Sequence, residues 1–285
     1  MRQESLYFLE SYLDMYVHEG VDSIYEFYKY YSSFEVHSIN DLMDSVNEFC
    51  EYLRRNVSSI KRNGTFSDDA ILKTLESFKR SISVAIQRYS HDNYKNFAKL
   101  VYELSPSKEK ESVLEVGSGK IPSSSIWLKE KVDKVLTIDT EFYLSKLALE
   151  NMNVQSKEHL FGKYSNIDGA SFVVGRCPCS AIKHMVKKCA EKNIPYLIKL
   201  CDCDIVASNK FANAFNTWST ILPEYDPEVK IFNDFAYNLD VSKEQIAKII
   251  SLYDSDSPRR ARRPVRIVRC YDNGKLIDEK EEMIL

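Results

Sequence analysis

The stretch that decides the fold is Ser112-Val113-Leu114-Glu115-Val116-Gly117-Ser118-Gly119-Lys120. Its apolar start predicts a buried strand, and its two glycines predict a tight turn in which the backbone approaches a ligand without a Cβ in the way. A second apolar run, Lys134–Asp139, follows about twenty residues later and ends in an acid. This pattern is typical of a strand–loop–helix–strand unit that binds a nucleoside and its charged tail at a helix N-terminus.

The residues Glu115-x-Gly117-x-Gly119, together with Asp139, resemble the cofactor site of class I S-adenosylmethionine (SAM)-dependent methyltransferases. The resemblance covers roughly residues 110 to 205. It implies a Rossmann-like domain with SAM as its cofactor. It also implies that Glu115, Gly117 and Gly119 hold the methionine portion, and that Asp139 accepts hydrogen bonds from the ribose hydroxyls. The alternative is a glycine turn of an ordinary α/β domain that binds no ligand.

One position departs from the family pattern. The third glycine of that pattern falls on Ile121, which is followed by Pro122. Proline is well tolerated in a first helical turn, and the three serines at 123–125 suit a helix start. The loop therefore still leads into a helix, but we expect a bulkier side chain close to the ligand.

Alternating patterns along the rest of the chain predict its architecture. Residues 1–107 show apolar residues at helical spacing and predict an all-helical domain that acts as a cap, a substrate-recognition unit or a homodimer interface. In residues 108–285, buried strand patterns alternate with helices of ten or more residues. This alternation predicts an α/β domain with a doubly wound, Rossmann-like sheet. Asp272-Asn273-Gly274 lies between two strand patterns and predicts a C-terminal hairpin.

The carboxyl end of the predicted fourth strand carries the candidates for catalysis. In the resembling family this position faces the methyl group, and here it reads Arg176-Cys177-Pro178-Cys179. Pro178-Cys179 matches the dipeptide of cytosine-C5 methyltransferases, whose cysteine attacks the base, but the residues around it differ. A cation and a helix start favour a thiolate. We therefore name Cys179 as candidate nucleophile and Arg176 as its activator or as a group that orients an anionic acceptor. The bland alternative is that both cysteines are small buried side chains.

Two Cys-x-Cys pairs occur at the ends of neighbouring predicted strands, Cys177 with Cys179 and Cys201 with Cys203. Four thiols at adjacent strand ends could bind zinc or an iron–sulfur cluster. The spacing matches no recognised ligand motif, so we predict no metal and leave the role of the four cysteines open.

Arginine is concentrated near the C-terminus. Arg259, Arg260, Arg262 and Arg263 lie in a run without acids that extends to Arg269. Such a run could neutralise the phosphates of a nucleic acid, or it could pair with the acidic residues near the chain's end.

Composition excludes several classes. The net charge of −3 gives no overall attraction to nucleic acid or membrane. No apolar run approaches the length of a membrane span, and acids among the first thirty residues argue against a secretory signal. Seven cysteines without a small-domain framework indicate a reducing cytoplasm.

The sequence therefore predicts a cytoplasmic SAM-dependent methyltransferase with an unidentified acceptor. The alternative is a non-catalytic SAM- or nucleotide-binding module that acts in interactions or in nucleic-acid binding.

Overall fold

A single twisted sheet forms the centre of the molecule, and it is made of nine strands in the order 3-2-1-4-5-7-6-8-9. The computed structural model describes residues 28–29, 31–33, 36–38, 41–55, 67, 69, 72–73, 75–80, 82–83, 92–200, 214–255, 265–272 and 275–283. The strands are β1 Ser112–Val116, β2 Lys134–Asp139, β3 Gln155–Glu158, β4 Phe172–Arg176, β5 Tyr196–Lys199, β6 Lys230–Phe232, β7 Phe235–Asn238, β8 Val265–Asp272 and β9 Lys275–Met283.

The first five strands are parallel, and β7 runs antiparallel between β5 and β6. The order 3-2-1-4-5-7-6 is typical of methyltransferases, so the predicted doubly wound α/β class is confirmed. The direction of the chain across the sheet reverses between β1 and β4. In an open parallel sheet this reversal opens a crevice at the carboxyl ends of the strands.

Helices cover both faces of the sheet. They are α1 Asp41–Arg55, α2 Asp92–Leu104, α3 Ser123–Lys129, α4 Lys146–Asn151, α5 Ile182–Lys192, α6 Ala214–Ile221 and α7 Lys243–Ser255. Phe97 of α2 and Ile246 of α7 pack in one core with Phe172 of β4, and Met185 of α5 and Trp218 of α6 pack in another core. Alternate residues of the central strands face these two cores, as a sheet buried on both sides requires. Within the described residues, no helix is long and apolar enough to cross a membrane.

A tight hairpin places the antiparallel strand beside β5. Asn233 and Asp234 connect β6 to β7, and both have positive φ angles of 51° and 63°. A two-residue turn with two positive φ angles matches the right-handed twist of the strands it joins. The apolar run over 228–237 predicts one late strand, and that prediction is wrong because this turn divides the run into two.

The C-terminal hairpin extends the sheet beyond the methyltransferase pattern. β8 pairs with the outer side of β6, and β9 pairs with β8, which confirms the predicted hairpin. The register sets Arg266 opposite Glu282 and Arg269 opposite Glu279. Arg259, Arg260, Arg262 and Arg263, the predicted nucleic-acid contacts, lie outside the described residues.

An aromatic cluster joins the N-terminal helices to the α/β domain. Tyr28, Tyr31, Phe49 and Phe78 are fully buried, with ring centroids 5.2–6.3 Å apart. The same core contains residues of α3, of α4 and of the loop before α4. It also contains Ile121, which is buried. The side chain of Ile121 therefore packs into this core, and its expected proximity to a ligand stays a prediction.

Helix α2 belongs to the sheet's packing although it precedes residue 107. Its buried residues Phe97 and Val101 share a core with Val113 of β1 and Phe172 of β4. Lys95 of the same helix lies 4.8 Å above the ring of Trp127 on α3. The boundary between residues 107 and 108 stays a prediction, and α2 forms part of the covering layer of the sheet.

We predict that Phe49→Ala lowers the free energy of unfolding by about 3–5 kcal/mol, because it opens a cavity in the aromatic cluster. Urea titration followed by circular dichroism measures the change. Arg55→Ala, at an exposed position of the same helix, is the control and should stay within about 0.5 kcal/mol. Equal stability of the two variants would contradict the placement of the cluster.

Candidate functional site

The candidate site lies at the reversal of the sheet, where the loops after β1 and β4 meet. Gly117 has φ +70° and Gly119 has φ +88°, values that side chains rarely adopt. The N–H of Gly117 donates to the carbonyl of Ile138 at 2.9 Å. The loop after β1 is therefore tied to the end of β2.

The position of Pro178 explains why residue 117 must be a glycine. A Cβ at Gly117 would lie 2.8 Å from Cα of Pro178, and a Cβ at Gly175 would lie 2.9 Å from its Cγ. The proline thus packs between two glycines on neighbouring strands. At Gly119 the nearest atom to such a Cβ is the carbonyl oxygen of Ile121 at 3.8 Å. Residue 119 must be a glycine because of its backbone angle, and the space beside its Cα is open.

Asp139 holds the end of β2 against the glycine loop. Its Oδ2 accepts the N–H of Gly119 at 2.8 Å, and its Oδ1 accepts the N–H of Thr140 at 2.7 Å. The side chain is only partly buried. Its Oδ1 also accepts the hydroxyl of Thr140 at 3.2 Å. A carboxylate has about four acceptor positions, so this one retains capacity for a further hydrogen bond. A ribose hydroxyl beside Gly119 is a chemically matched donor for it.

A strap of side chains crosses from the glycine loop to the loop after β2. Lys120 Nζ lies 2.6 Å from Glu141 Oε2 and 4.8 Å from the ring centroid of Tyr143. The N–H of Tyr143 donates to the carbonyl of Lys120 at 2.8 Å. The charged pair is half-exposed, so its energetic contribution is small. Its structural effect is to keep the two loops close together.

Glu115 lies beneath this site rather than in it. Its side chain is 1% exposed, and its Oε2 accepts the hydroxyl of Ser125 on α3 at 2.5 Å. Burial raises the pKa of Glu115 to about 7, while the hydroxyls of Ser125 and Ser124 and the charge of Arg176 partly offset that rise. Glu115 thus contacts helix α3. Any effect of Glu115 on a ligand is therefore transmitted through that helix.

Polar atoms around Glu115 are left without partners. These atoms are Glu115 Oε1 and Thr137 Oγ1. Glu115 and Thr137 are paired in register on β1 and β2, so their side chains project to the same face. Buried polar atoms in native proteins are normally satisfied, often by an internal water.

Arg176 and Cys179, the two predicted catalytic residues, point to opposite faces of the sheet. The guanidinium carbon of Arg176 lies 4.4 Å from the ring centroid of Tyr94 on α2. Cys179 packs against the other core, the one that contains α5. The structure thus places the two side chains in different surroundings. The suggested activation of Cys179 by Arg176 and the separate roles of the two residues stay predictions.

Within the described residues, no group of three or more histidine, cysteine and acidic side chains is placed to bind a metal. Cys177 is exposed and Cys179 is half-buried, and neither is in a disulfide. Cys201 and Cys203 lie outside the residues that the structure describes. Of the four thiols considered above as metal ligands, the structure therefore describes only those of Cys177 and Cys179.

Sequence reasoning missed the roles of three residues at this site: Tyr94, Ser125 and Pro178. Ser125 is visible only as one of three serines that start a helix. Tyr94 is one of 18 tyrosines with no local signal. The sequence does contain a signal for the role of Pro178. Gly117 and Gly175 both lie at ends of predicted strands, and a close neighbour explains why both residues are glycines.

We predict a graded effect for three glycine-to-alanine variants. Gly117→Ala combines a positive φ with a clash against Pro178 and should cost about 3 kcal/mol or more of unfolding free energy. Gly119→Ala has the unfavourable angle alone and should cost about 1–2 kcal/mol. Gly162→Ala is the control, since no atom lies within 4 Å of its Cβ position. Urea unfolding measures all three, and equal costs at 117 and 119 would contradict the packing of Pro178.

We predict that Glu115 makes the folded state less stable as the pH rises from about 4.5 to about 7. In this window the folded chain keeps a proton that the unfolded chain has lost, so stability falls with pH. Glu115→Gln should remove this component, about 3 kcal/mol in total. Urea unfolding of both proteins at several pH values between 4.5 and 8 measures it. Glu130→Gln, at an exposed carboxyl, is the control, and parallel pH curves for wild type and Glu115→Gln would refute the assignment.

No protein-family model and no curated protein matches the chain. Several solved structures are similar in fold. The YcgJ protein of Bacillus subtilis shares 12% identity over 63% of this chain and 92% of its own, with a TM-score of 0.37. Phosphoethanolamine N-methyltransferase 1 of Haemonchus contortus, solved with phosphoethanolamine and S-adenosylhomocysteine, shares 11% identity over 78% of this chain and 55% of its own, with a TM-score of 0.35.

The plantazolicin methyltransferase BpumL, solved with S-adenosylhomocysteine, shares 14% identity over 78% of this chain and 81% of its own, with a TM-score of 0.29. At these identities the similarity concerns the fold alone. The strand order across the sheet and the glycine turn after β1 are features of this chain itself. In fold, the chain resembles the class I SAM-dependent methyltransferases.

Proposed function

We propose that this protein is a SAM-dependent methyltransferase acting on an unidentified acceptor. The observation that carries the proposal is the hydrogen bond from Gly119 N–H to Asp139 Oδ2 at 2.8 Å, at the reversal of the sheet. It unites a glycine turn, an acid at the end of β2 and open space beside Gly119. These features fit the ribose end of the cofactor.

The remaining parts of the chain have defined tasks in this proposal. Asp139 accepts a hydrogen bond from a ribose hydroxyl, and the backbone at Gly117 and Gly119 borders the methionine portion. Glu115 supports that backbone by anchoring α3 through Ser125. When bound, SAM supplies an electrophilic methyl group. Residues at the end of β4 border the acceptor, and the chain contributes mainly proximity and orientation.

A non-catalytic SAM- or nucleotide-binding module is the second candidate, and one observation favours it. Pro178 fills the space against Gly117 that the missing Cβ leaves, and Glu115 is buried under α3. The acid and first glycine of the motif are thus engaged by protein atoms. Such a module would bind its partners through the N-terminal helices or through the arginine run at 259–263.

The N-terminal region, residues 1–107, has a proposed role as a cap of the α/β domain. The aromatic cluster lies against α4 and the loop that precedes it, and Lys29 bonds to Glu158 at the end of β3 at 3.1 Å. A cap at this edge borders the ribose side of the site. A homodimer through the same region remains the alternative proposal.

We predict micromolar binding of SAM and S-adenosylhomocysteine to the wild-type protein in isothermal titration. Asp139→Asn should weaken binding at least about tenfold, since a hydrogen bond to a charged group contributes about 1.5–3 kcal/mol. Asp168→Asn is the matched control, because that exposed carboxylate bonds Lys192 at the far end of α5.

Three outcomes separate the candidates. Binding that Asp139→Asn loses and Asp168→Asn keeps supports the cofactor site, and transfer of a labelled methyl group to a cell extract then supports the enzyme. Binding with no labelled product in any extract favours the non-catalytic module. No binding of either compound to a protein with native circular dichroism rules out the methyltransferase and leaves a module that binds another nucleotide or a partner.

A further inference from the structure

We infer that Cys177 and Cys179 form a reversible disulfide that changes the glycine loop through Pro178. The inference builds on the proposed function only where it concerns SAM affinity. The thiol pair and its effect on the loop are independent of any cofactor.

The first observation is the accessibility and placement of the thiols. They flank a single proline at the carboxyl end of β4, with Cys177 exposed and Cys179 half-buried. The Cys179 sulfur lies 3.4 Å from the carbonyl oxygen of Cys177, and the Cys177 sulfur lies 3.8 Å from the carbonyl oxygen of Leu200. Formation of the disulfide therefore includes a rotation of the Cys177 side chain away from Leu200. By contrast, Cys50 and Cys189 are buried, and burial raises the pKa of both thiols. A buried thiol with a raised pKa is unreactive.

The second observation is the backbone of the loop. Cys177 has φ +56° and Cys179 has φ +49°, and Pro178 between them has φ −76° and ψ 15°. A bend of this kind at the central residue brings the flanking Cα atoms to about 5.5 Å, within the range that disulfides span. The bend is held by a hydrogen bond from Cys177 N–H to the carbonyl of Lys199 at 2.8 Å.

The third observation is the lack of free space around Pro178. A methyl group at either Gly117 or Gly175 would lie within 3 Å of this proline. Closing a ring across Cys177 and Cys179 restricts the backbone torsions of Pro178. Because the proline has no space to move between the two glycines, its displacement is passed to Gly117 and to the loop that holds Asp139.

The chemistry requires an oxidant, and glutathione disulfide supplies it. A thiolate of one cysteine attacks a sulfur of glutathione disulfide and releases one glutathione. The second cysteine then attacks the mixed disulfide and releases the other glutathione. The two protons of the protein thiols end on the two released glutathione thiolates, the protein sulfurs are oxidised and glutathione disulfide is reduced. Strained disulfides of this kind are the readily reversible ones.

The test exploits the positions of the trypsin sites. Cleavage after Arg176 and Lys183 releases a peptide that contains both thiols and no other cysteine. The folded wild-type protein is equilibrated with mixtures of reduced and oxidised glutathione, alkylated, digested and analysed by mass spectrometry. We expect to detect this peptide without alkylation and two hydrogens lighter than the reduced peptide. Treatment with reduced glutathione should convert it fully back to the reduced peptide. Cys177→Ser and Cys179→Ser, each treated identically, should not give this product.

Hydrogen exchange measures the coupling to the loop without any ligand. Peptides that cover residues 116–121 should exchange at different rates in the oxidised and reduced wild type, and at equal rates in treated and untreated Cys177→Ser. Peptides of α5 beyond residue 186 are an internal reference. SAM affinity, where binding is found, should differ about tenfold between the two forms.

The outcomes distinguish this inference from the proposed function. A folded protein in which the peptide stays fully alkylated, or in which Cys177 pairs with another cysteine, overturns the inference. A disulfide that leaves exchange of residues 116–121 unchanged also overturns it. Failure of SAM to bind, together with the disulfide and the exchange difference, overturns the proposed function and leaves the switch standing.

Discussion

Pro178 packs between Gly117 and Gly175, and the candidate site depends on this contact. A Cβ on either glycine would come within 3 Å of the proline. The packing joins the loop after β1 to the loop after β4 at the place where the order of the parallel strands reverses. Well-packed groups transmit displacement because protein interiors contain little empty space. The two sides of the crevice are therefore in direct packing contact.

Glu115 shows how the site is supported from below. A buried carboxyl is costly unless it is hydrogen-bonded or protonated. Here it accepts Ser125 from helix α3, and burial raises its pKa to about 7. The motif acid thus links strand β1 to the helix whose first turn follows the glycine loop. In the proposed cofactor site, the contribution of Glu115 is the position of that helix.

The N-terminal helices complete the domain at its β2–β3 edge. Ile121, the residue in place of the third family glycine, packs into the aromatic cluster with Phe142. A glycine there could not make this contact. The departure from the family pattern is thus accompanied by burial of Ile121 in the core to which the N-terminal helices contribute.

The sequence by itself determined the class of fold, the parallel core strands and the glycine turn, because these depend on local periodicity and on residues that permit unusual backbone angles. It also placed Asp139 at the end of β2. Only the tertiary structure decided that Arg176 and Cys179 face opposite sides of the sheet, that Ile121 points into a core and that Pro178 fills the space at Gly117. These are contacts between residues far apart in the chain, and local sequence carries no signal for which distant side chain will occupy a given space.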